Sequence, residues 1–241
     1  MMNNKISVVM ATYNGEKYIR EQIDSILINL NNGDELIISD DGSTDETLNI
    51  IKKYIENDNR IKLINGPKMG VKQNFANAIK NATGKYIFLS DQDDIWEKDK
   101  VEKVMKAFKK EKCTLVIHDA KIVNQDLEDM QESFFEYRNS GKGIIKNVWK
   151  NTYIGCCMAF DIKIKERILP IPNNIEMHDQ WIGLINEKYG KSYFLNEQLI
   201  KYRRHQSNVS KLEHYGVWKM ITNRVKLVKE LVFERRKNTN D

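Results

Sequence analysis

The first half of the chain alternates short runs of β-branched and aromatic residues with segments whose apolar residues recur every three or four positions. This alternation is typical of a mostly parallel sheet that is covered by helices. Predicted strands lie at residues 6–10, 36–39, 61–64, 86–90 and 115–118. With 241 residues, 41% of them hydrophobic, the chain is long enough for one α/β domain with a buried core.

Two segments between these strands predict helices with one apolar face. The first face has Ile19, Ile23, Ile26, Leu27 and Leu30, and the second has Val71, Phe75, Ala78, Ile79 and Ala82. Ser43 followed by Glu46 predicts a capping box at the start of a further helix. From residue 125 to residue 151 the apolar pattern weakens, so we expect an irregular connection there.

Charge and cysteine content exclude several classes of protein. The net charge of +5, from 39 Lys and Arg against 34 Asp and Glu, is too small an excess to indicate a nucleic-acid-binding protein. No stretch approaches the roughly 20 apolar residues that cross a bilayer, and the apolar run at residues 6–11 is too short for a signal peptide. Cys113, Cys156 and Cys157 are expected to be buried, reduced thiols, as in a cytoplasmic protein.

Polar residues follow three of the predicted strands at the point where each strand ends. TYNG occupies residues 12–15, DDGS residues 40–43 and DQDD residues 91–94. In open parallel sheets, ligands bind at the carboxyl ends of the strands. Gathered carboxylates repel one another unless a cation lies among them, and Mg²⁺ or Mn²⁺ takes oxygen ligands from carboxylates and phosphates. The alternative is a loop whose aspartates cap the next helix, but the three clusters together favour a site for a metal and a diphosphate.

Other nucleotide-binding folds hold phosphates with the backbone amides of glycine-rich loops. No GxGxxG sequence follows a predicted strand. The Gly190-Lys191-Ser192 triplet resembles the end of a P-loop, but the opening glycine would fall at position 185, which is Ile185. Dinucleotide-binding and P-loop functions are therefore disfavoured.

Three motifs, MATYNGEKYI, IISDDGSTDET and GKYIFLSDQDDIW, occur in this order and together resemble the nucleotide-binding half of family 2 glycosyltransferases. EMHDQW and YRRHQSN extend the resemblance to about residue 210, and the DQDDIW form resembles bacterial rhamnosyltransferase-like members that build surface polysaccharides. The resemblance implies an α/β chain with the GT-A fold: a Rossmann-like, mostly parallel central sheet with helices on both faces, a C-terminal acceptor-side region and a helical tail. We expect a catalytic domain at residues 1–212, with a nucleotide-sugar-binding half at 1–120 and an acceptor-side half at 121–212, and a basic amphipathic helix at 213–241.

The first two motifs supply the implied nucleotide contacts. Tyr13 is expected to stack on the nucleobase, and Thr12 lines the same pocket. Asp41 is expected to hydrogen-bond the base, while Asp40 shapes the turn before it. The alternative for Tyr13 is a core tyrosine, since buried tyrosines are common.

The third motif supplies the implied metal site for Mn²⁺ or Mg²⁺. Asp93 is the principal metal ligand, and Asp91 reaches the ribose or, through water, the metal. Gln92 belongs to the nucleotide-sugar-binding set, and Asp94 is a supporting candidate. The ion neutralises the charge that develops on the departing nucleotide diphosphate.

The YRRHQSN motif supplies further implied contacts. His205 completes the metal shell or closes over the diphosphate, and Arg203 and Arg204 offer positive charge to phosphate oxygens. The alternative is a surface histidine beside solvated arginines.

In EMHDQW, the resemblance implies that Asp179 is the general base that deprotonates the incoming hydroxyl. Many family members carry Glu-Asp where this chain has His178-Asp179, so the resemblance does not extend to His178. A role of Asp179 as the N-cap of the helix through Trp181, Leu184 and Ile185 is compatible with the role of general base. Family 2 implies inversion of the anomeric carbon, and the absence of a Gln-x-x-Arg-Trp sequence implies that one sugar is added and released.

The implied donor is a nucleotide diphosphate sugar, such as dTDP-rhamnose or a UDP-sugar, and the implied acceptor is a glycan or a lipid-linked oligosaccharide. Two other functions stay open: a sugar nucleotidyltransferase, and an inactive module that binds a nucleotide sugar or a glycan. The former normally relies on a glycine-rich, basic loop near its N-terminus, which this chain lacks.

Residues 215–237 predict a helix with an apolar stripe and with basic residues largely on its other faces. The stripe consists of Trp218, Ile221, Val225, Val228 and Val232. Such a helix lies on an anionic membrane surface or packs on its own domain, and both interpretations stay open. We expect a cytoplasmic protein, in the first case bound peripherally to the inner face of the cell membrane.

Overall fold

A computed structural model describes residues 5–206 and 217–237. The strands are β1 Ile6–Thr12, β2 Glu35–Asp40, β3 Ile61–Asn65, β4 Tyr86–Ser90, β5 Ile95–Trp96, β6 Leu115–Asn124, β7 Asp129–Gln131, β8 Met158–Asp161 and β9 Ser192–Arg204. The helices are α1 Ile19–Leu27, α2 Thr47–Ile55, α3 Val71–Asn81, α4 Lys100–Glu111, α5 Phe134–Arg138, α6 Ile144–Trp149, α7 Lys165–Ile168, α8 His178–Tyr189 and α9 Val217–Lys237. Three predicted features lie outside the described residues: the boundary between residues 212 and 213, the end of the last motif at Ser207 and Asn208, and the start of the tail at Tyr215.

The strands form one mixed sheet in the order β3-β2-β1-β4-β8-β6-β9-β5, and β7 pairs with β6. The first four strands in this order are mutually parallel, whereas β8 runs antiparallel to both of its neighbours. In this register Thr12 pairs with Asp40, and Met10 pairs with Ser90. The carboxyl ends of β1, β2 and β4 therefore meet at one edge, as the sequence predicts.

Both faces of this sheet are covered, because every residue of β1 is buried. The predicted apolar faces supply part of the cover: Ile19, Ile23 and Ile26 of α1 are fully buried, as are Phe75 and Ile79 of α3. All five predicted strands appear at the predicted positions. The three cysteines are buried and free, as expected.

The predicted capping box is wrong. Helix α2 begins at Thr47, so its N-cap residue is Glu46 and not Ser43, and the Glu46 side chain makes no capping hydrogen bond. The Glu46 amide instead donates to the carboxylate of Glu16. The Ser43 hydroxyl instead donates to the carboxylate of Asp40. Ser43 is thus drawn into the turn after β2, because a buried carboxylate needs donors more than an exposed helix end does.

The segment 125–151 is more regular than expected, since it contains β7, α5 and α6. Asp119 explains part of this order, because its buried carboxylate accepts hydrogen bonds from the Ser133 hydroxyl and the Phe135 amide at the start of α5. The sequence pattern did not predict these elements because each is short. One of them, α5, is also held by the Asp119 carboxylate of β6, which is distant from it in the sequence.

Candidate active site

A cleft of about 2340 Å³ opens at the carboxyl ends of β1, β2 and β4 and extends to the start of α8. It is lined by Thr12, Tyr13, Asp41, Asp91, Gln92, Asp93, Asp179 and His205. The remaining two predicted site residues, Asp40 and Arg203, are buried behind its wall, 5% and 4% exposed. The structure thus brings the predicted nucleotide and acceptor residues to one space.

Gln92 joins the loop after β4 to the loop after β1. Its Oε1 accepts the Tyr13 amide at 2.9 Å, its Nε2 donates to the Tyr13 carbonyl at 3.1 Å, and the Thr12 hydroxyl also donates to Oε1. The Tyr13 side chain is 56% exposed and lines the cleft, so the core-tyrosine alternative is wrong. Gln92 therefore fixes the backbone that carries the exposed ring.

Replacing Gln92 with Met will keep most of the side-chain volume but remove both hydrogen bonds to the Tyr13 backbone. We expect binding of a nucleoside diphosphate to weaken about tenfold, the equivalent of one to two net hydrogen bonds. Calorimetric titration with UDP, GDP and dTDP in the presence of Mn²⁺ measures this. The matched control is Gln73→Met, which removes two hydrogen bonds of a glutamine outside the cleft, against three for Gln92, the third being the one from the Thr12 hydroxyl. Equal losses in both variants would contradict a positioning role for Gln92.

The two aspartates after β2 have different partners. Asp40 accepts hydrogen bonds from the Gly42 and Ser43 amides, which is the turn-shaping contact expected from the sequence. Asp41 accepts the amides of Lys68 and Gly70, each at 2.7 Å, and so holds a loop that lines the cleft. Sequence analysis missed this loop, because nothing in its residues links it to Asp41. The base contact of Asp41 stays a prediction.

The loop after β4 gathers acidic side chains below the cleft. Ligand atoms of Asp91, Asp94 and Cys156 lie within 4.8 Å of one another. Burial, and then the charges of Asp94, Asp93 and Asp179, raise the pKa of Asp91. Burial and the charge of Asp93 likewise raise the pKa of Asp94. Burial and mutual repulsion thus disfavour the charged form of these carboxylates unless a bound cation neutralises their negative charge.

Such a cluster fits a hard divalent cation through its oxygens. One carboxylate oxygen of Asp94, Oδ2, is buried without a hydrogen-bond partner among the described residues, whereas Oδ1 accepts the Arg203 amide at 3.0 Å. Burial raises the pKa of Cys156 well above its usual value, so its sulfur stays a thiol. Because Mg²⁺ and Mn²⁺ prefer oxygen to sulfur, the carboxylates and not Cys156 are the suitable ligands.

A buried lysine, which sequence analysis missed, lies beneath this cluster. Lys100 is 1% exposed, and its Nζ donates to the Cys156 carbonyl at 2.9 Å and lies 3.7 Å from the centre of the Trp96 ring. Burial lowers the pKa of Lys100 to about 8. No sequence signal separates this lysine from the many exposed ones.

His205 contacts Asp93 directly, with 2.8 Å between Nε2 and Oδ2, and its ring stacks on Tyr18. The Arg203 guanidinium donates to the Asp93 carbonyl at 2.9 Å and forms an ion pair with Glu21. The alternative of a surface histidine beside solvated arginines is wrong, because the side chains of His205 and Arg203 are 7% and 5% exposed. Arg203 holds the acidic loop, while Arg204 lines the cleft; a phosphate contact of Arg203 stays a prediction.

Asp179 is the second residue of α8, so the N-cap residue is Met177 and not Asp179, although the Asp179 carboxylate accepts the Gln180 amide of the first turn at 2.6 Å. It is 8% exposed, and burial raises its pKa to about 6. The Asn151 amide donates to its Oδ1 at 3.0 Å, a contact that sequence analysis missed. A carboxylate with such a pKa suits a general base near neutral pH.

His178 is a packing residue in this structure. It stacks on Phe75 with 4.1 Å between ring centres, and it is 3% exposed. Burial lowers its pKa to about 3, so the ring is neutral. Where many family members carry a charged Glu, this chain therefore has a neutral His178 that packs against an aromatic ring.

Carboxylate-rich loops at the edge of a mixed α/β sheet face a further buried carboxylate across one cleft, an arrangement that fits the class of GT-A transferases. The chain belongs to glycosyl transferase family 2, whose family model it matches over residues 7–169. The chain is similar to TuaG of Bacillus subtilis, a protein named for a glycosyltransferase of teichuronic acid biosynthesis. The two are 29% identical over 210 residues, and the matched region covers 85% of this chain and 81% of TuaG. Family 2 relatives thus include proteins of polysaccharide biosynthesis.

Solved structures confirm the GT-A fold. The S. aureus TarS fragment 1–349 in complex with UDP-GlcNAc has a TM-score of 0.74 at 18% identity, covering 95% of this chain and 66% of that one. The mannosyltransferase PcManGT from Pyrobaculum calidifontis, in complex with GDP-Man and Mn²⁺, has a TM-score of 0.62 at 17% identity, covering 98% and 64%. This chain spans less than two thirds of the length of both. Within residues 5–206 and 217–237, no helix has the length and apolarity needed to cross a bilayer.

Proposed function

We propose that this chain is an inverting, non-processive glycosyltransferase that uses Mn²⁺ or Mg²⁺ to move one sugar from a nucleotide diphosphate donor to a hydroxyl of an acceptor glycan. The observation that carries the proposal is the placement of Asp91, Asp93 and Asp179 on one cleft. Because these carboxylates line one space, the charge of Asp179 contributes to raising the pKa of Asp91.

The residues present divide the work between the two sides of the cleft. Tyr13 stacks on the nucleobase, and Asp91, Asp93 and Asp94 hold the ion, with His205 against Asp93. When bound, the ion stabilises the charge of the departing diphosphate as a Lewis acid. The buried partners of the acidic loop keep its carboxylates in place before the donor binds, which favours catalysis by preorganisation.

Asp179 removes the proton from the attacking acceptor hydroxyl. Its pKa of about 6 leaves it mostly ionised at neutral pH, and the Asn151 hydrogen bond fixes its orientation. Attack from the face opposite the diphosphate breaks the bond between the sugar and the phosphate in one displacement. The anomeric carbon is therefore inverted, without a covalent sugar intermediate.

The proposed partners follow from the family. The donor is dTDP-rhamnose or a UDP-sugar, as in rhamnosyltransferase-like members, and the acceptor is a glycan or a lipid-linked oligosaccharide of surface polysaccharide biosynthesis. We assign the nucleotide-sugar-binding half to residues 1–120 and the acceptor-side half to residues 121–212. The C-terminal unit predicted at residues 213–241 contains helix α9, Val217–Lys237. The site of action is the cytoplasm, with peripheral contact at the inner face of the cell membrane.

Incubation with UDP-GlcNAc, GDP-Man and dTDP-rhamnose, with Mn²⁺ or with a chelator, tests this function. We expect one of these donors to raise the melting temperature with Mn²⁺, since a ligand at 100 times its Kd adds about 2.7 kcal/mol to the free energy of unfolding. We expect slow, Mn²⁺-dependent release of the nucleoside diphosphate and the free sugar. Release of pyrophosphate from a nucleoside triphosphate and a sugar phosphate would indicate a nucleotidyltransferase. Binding without any release would indicate an inactive module.

A further inference from the structure

Helix α9 packs on the rest of the chain through one face. Leu227 is 3% exposed, and Leu231 packs against the main core. Glu230 accepts a hydrogen bond from Asn174, and Glu234 forms an ion pair with Lys188. Both acidic residues of this helix thus point toward the domain. Of the two interpretations left open by the sequence, packing on the domain holds for this face, but the face that packs is not the predicted apolar stripe.

The opposite face of α9 is exposed and contains apolar residues, lysines and one threonine. These residues are Trp218, Lys219, Ile221, Thr222, Val225, Lys226, Val228, Lys229, Val232 and Phe233. Trp218 is 84% exposed, and the five residues of the predicted apolar stripe are all solvent-exposed. No acidic side chain lies among the described residues of this face. An exposed apolar stripe beside a row of lysines is the pattern of a helix that lies in a lipid interface.

Exposed apolar area continues from α9 onto α6. Ile145 is 88% exposed and Trp149 is 68% exposed. Arg224 of α9 donates to the Trp149 carbonyl, and its guanidinium lies 4.9 Å from the centre of the Trp149 ring. The α6–α9 surface, defined by Ile145, Trp149 and the exposed face of α9, is therefore held together by direct contacts.

We infer that the α6–α9 surface docks the chain on an anionic lipid membrane. Its tryptophans and valines suit the boundary between headgroups and acyl chains, and its lysines suit lipid phosphates. A second copy of the chain fits less well, because a two-fold contact through α9 sets Lys226 and Lys229 against lysines, with no acidic residue on the described face to match them.

The docked surface adjoins the acceptor side of the cleft. Trp149, Ile221 and Arg224 line the cleft together with Asn151, whose amide holds Asp179. A membrane against this surface brings the sugar end of an amphiphilic acceptor to the carboxylate. This inference rests on the proposed function and specifies its acceptor: a glycan carried on a membrane-embedded lipid.

Vesicle sedimentation tests the docking. The full chain is mixed with phosphatidylcholine vesicles that contain or lack phosphatidylglycerol, and we expect binding only to the former. The double variant Lys226→Gln with Lys229→Gln will bind roughly 30-fold more weakly, because each lysine near an anionic surface contributes about a fivefold gain. The matched control, Lys52→Gln with Lys53→Gln on exposed positions of α2, removes the same charge and will bind like the original chain.

Two further measurements make the outcome decisive. Val225→Ser with Val228→Ser will also weaken vesicle binding, since it removes apolar area and leaves the charge unchanged. Equal loss of vesicle binding in the two double lysine variants would overturn the inference, as would a dimer that forms through this face in the absence of vesicles.

Donor hydrolysis without vesicles tests the proposed function separately. Hydrolysis without vesicle binding overturns only the docking, and vesicle binding without hydrolysis overturns only the proposed function.

Discussion

Asp93→Ala will abolish Mn²⁺-dependent binding of the donor. Asp93 lines the cleft and contacts His205, and in the sequence it stands between Asp91 and Asp94, so its removal takes away one carboxylate of the proposed metal site. Loss of a residue that merely supports a metal ligand costs 10–100-fold in affinity, so loss of a ligand itself should cost at least about 100-fold. Calorimetric titration of Mn²⁺ in the presence of a saturating nucleoside diphosphate measures this change.

The control for this variant is Asp99→Ala. Asp99 is an exposed aspartate next to α4 that forms an ion pair with Lys103, so its removal changes the net charge equally but leaves the cleft intact. We expect unchanged Mn²⁺ affinity in this control. If Asp93→Ala binds Mn²⁺ like the control, the ion is held by Asp91 and Asp94 alone, and Asp94→Ala then shows the loss instead.

Asp179→Asn will bind the donor normally but transfer the sugar very slowly. The amide keeps the size of the carboxylate but cannot accept the proton of the hydroxyl, and loss of general base catalysis costs typically 10²–10⁴-fold in kcat. Asp161→Asn is the control, because Asp161 is equally buried but lies outside the cleft. Near-normal turnover in Asp179→Asn would assign the base to another residue.

The pH profile provides an independent check of the same role. Burial raises the pKa of Asp179 to about 6, and the base acts only when ionised. The kcat/KM of the original chain should therefore rise with pH up to about 6 and level off above it. The residual activity of Asp179→Asn should lack this rise. A profile that is flat between pH 5 and pH 7 would contradict the assignment of Asp179 as the base.

Periodicity sufficed for the parallel half of the fold. Each strand there is a short β-branched run, and each helix presents one apolar face, so local patterns and tertiary packing favour the same structure. Ser43 is an exception to this agreement. Its position three residues before Glu46 fits a helix cap, but its hydroxyl donates to the buried carboxylate of Asp40 instead. Among the short elements of segment 125–151, α5 is held at its start by Asp119 of β6, a contact that the local sequence does not reveal.

The sequence by itself determined that polar clusters follow three of the predicted strands, whereas the strand order β2-β1-β4 and the parallel direction that place those ends at one edge belong to the tertiary structure. Only the tertiary structure decided how these residues are held. Gln92 contacts Tyr13, Arg203 pairs with Glu21, Lys100 reaches the Cys156 carbonyl, and Asn151 orients Asp179. These partners are far apart in the chain, and a side chain that is polar in sequence gives no sign of the donor or acceptor that folding brings to it. The same reason applies to α9, whose composition predicts an amphipathic helix, while packing alone selects which of its residues face the solvent.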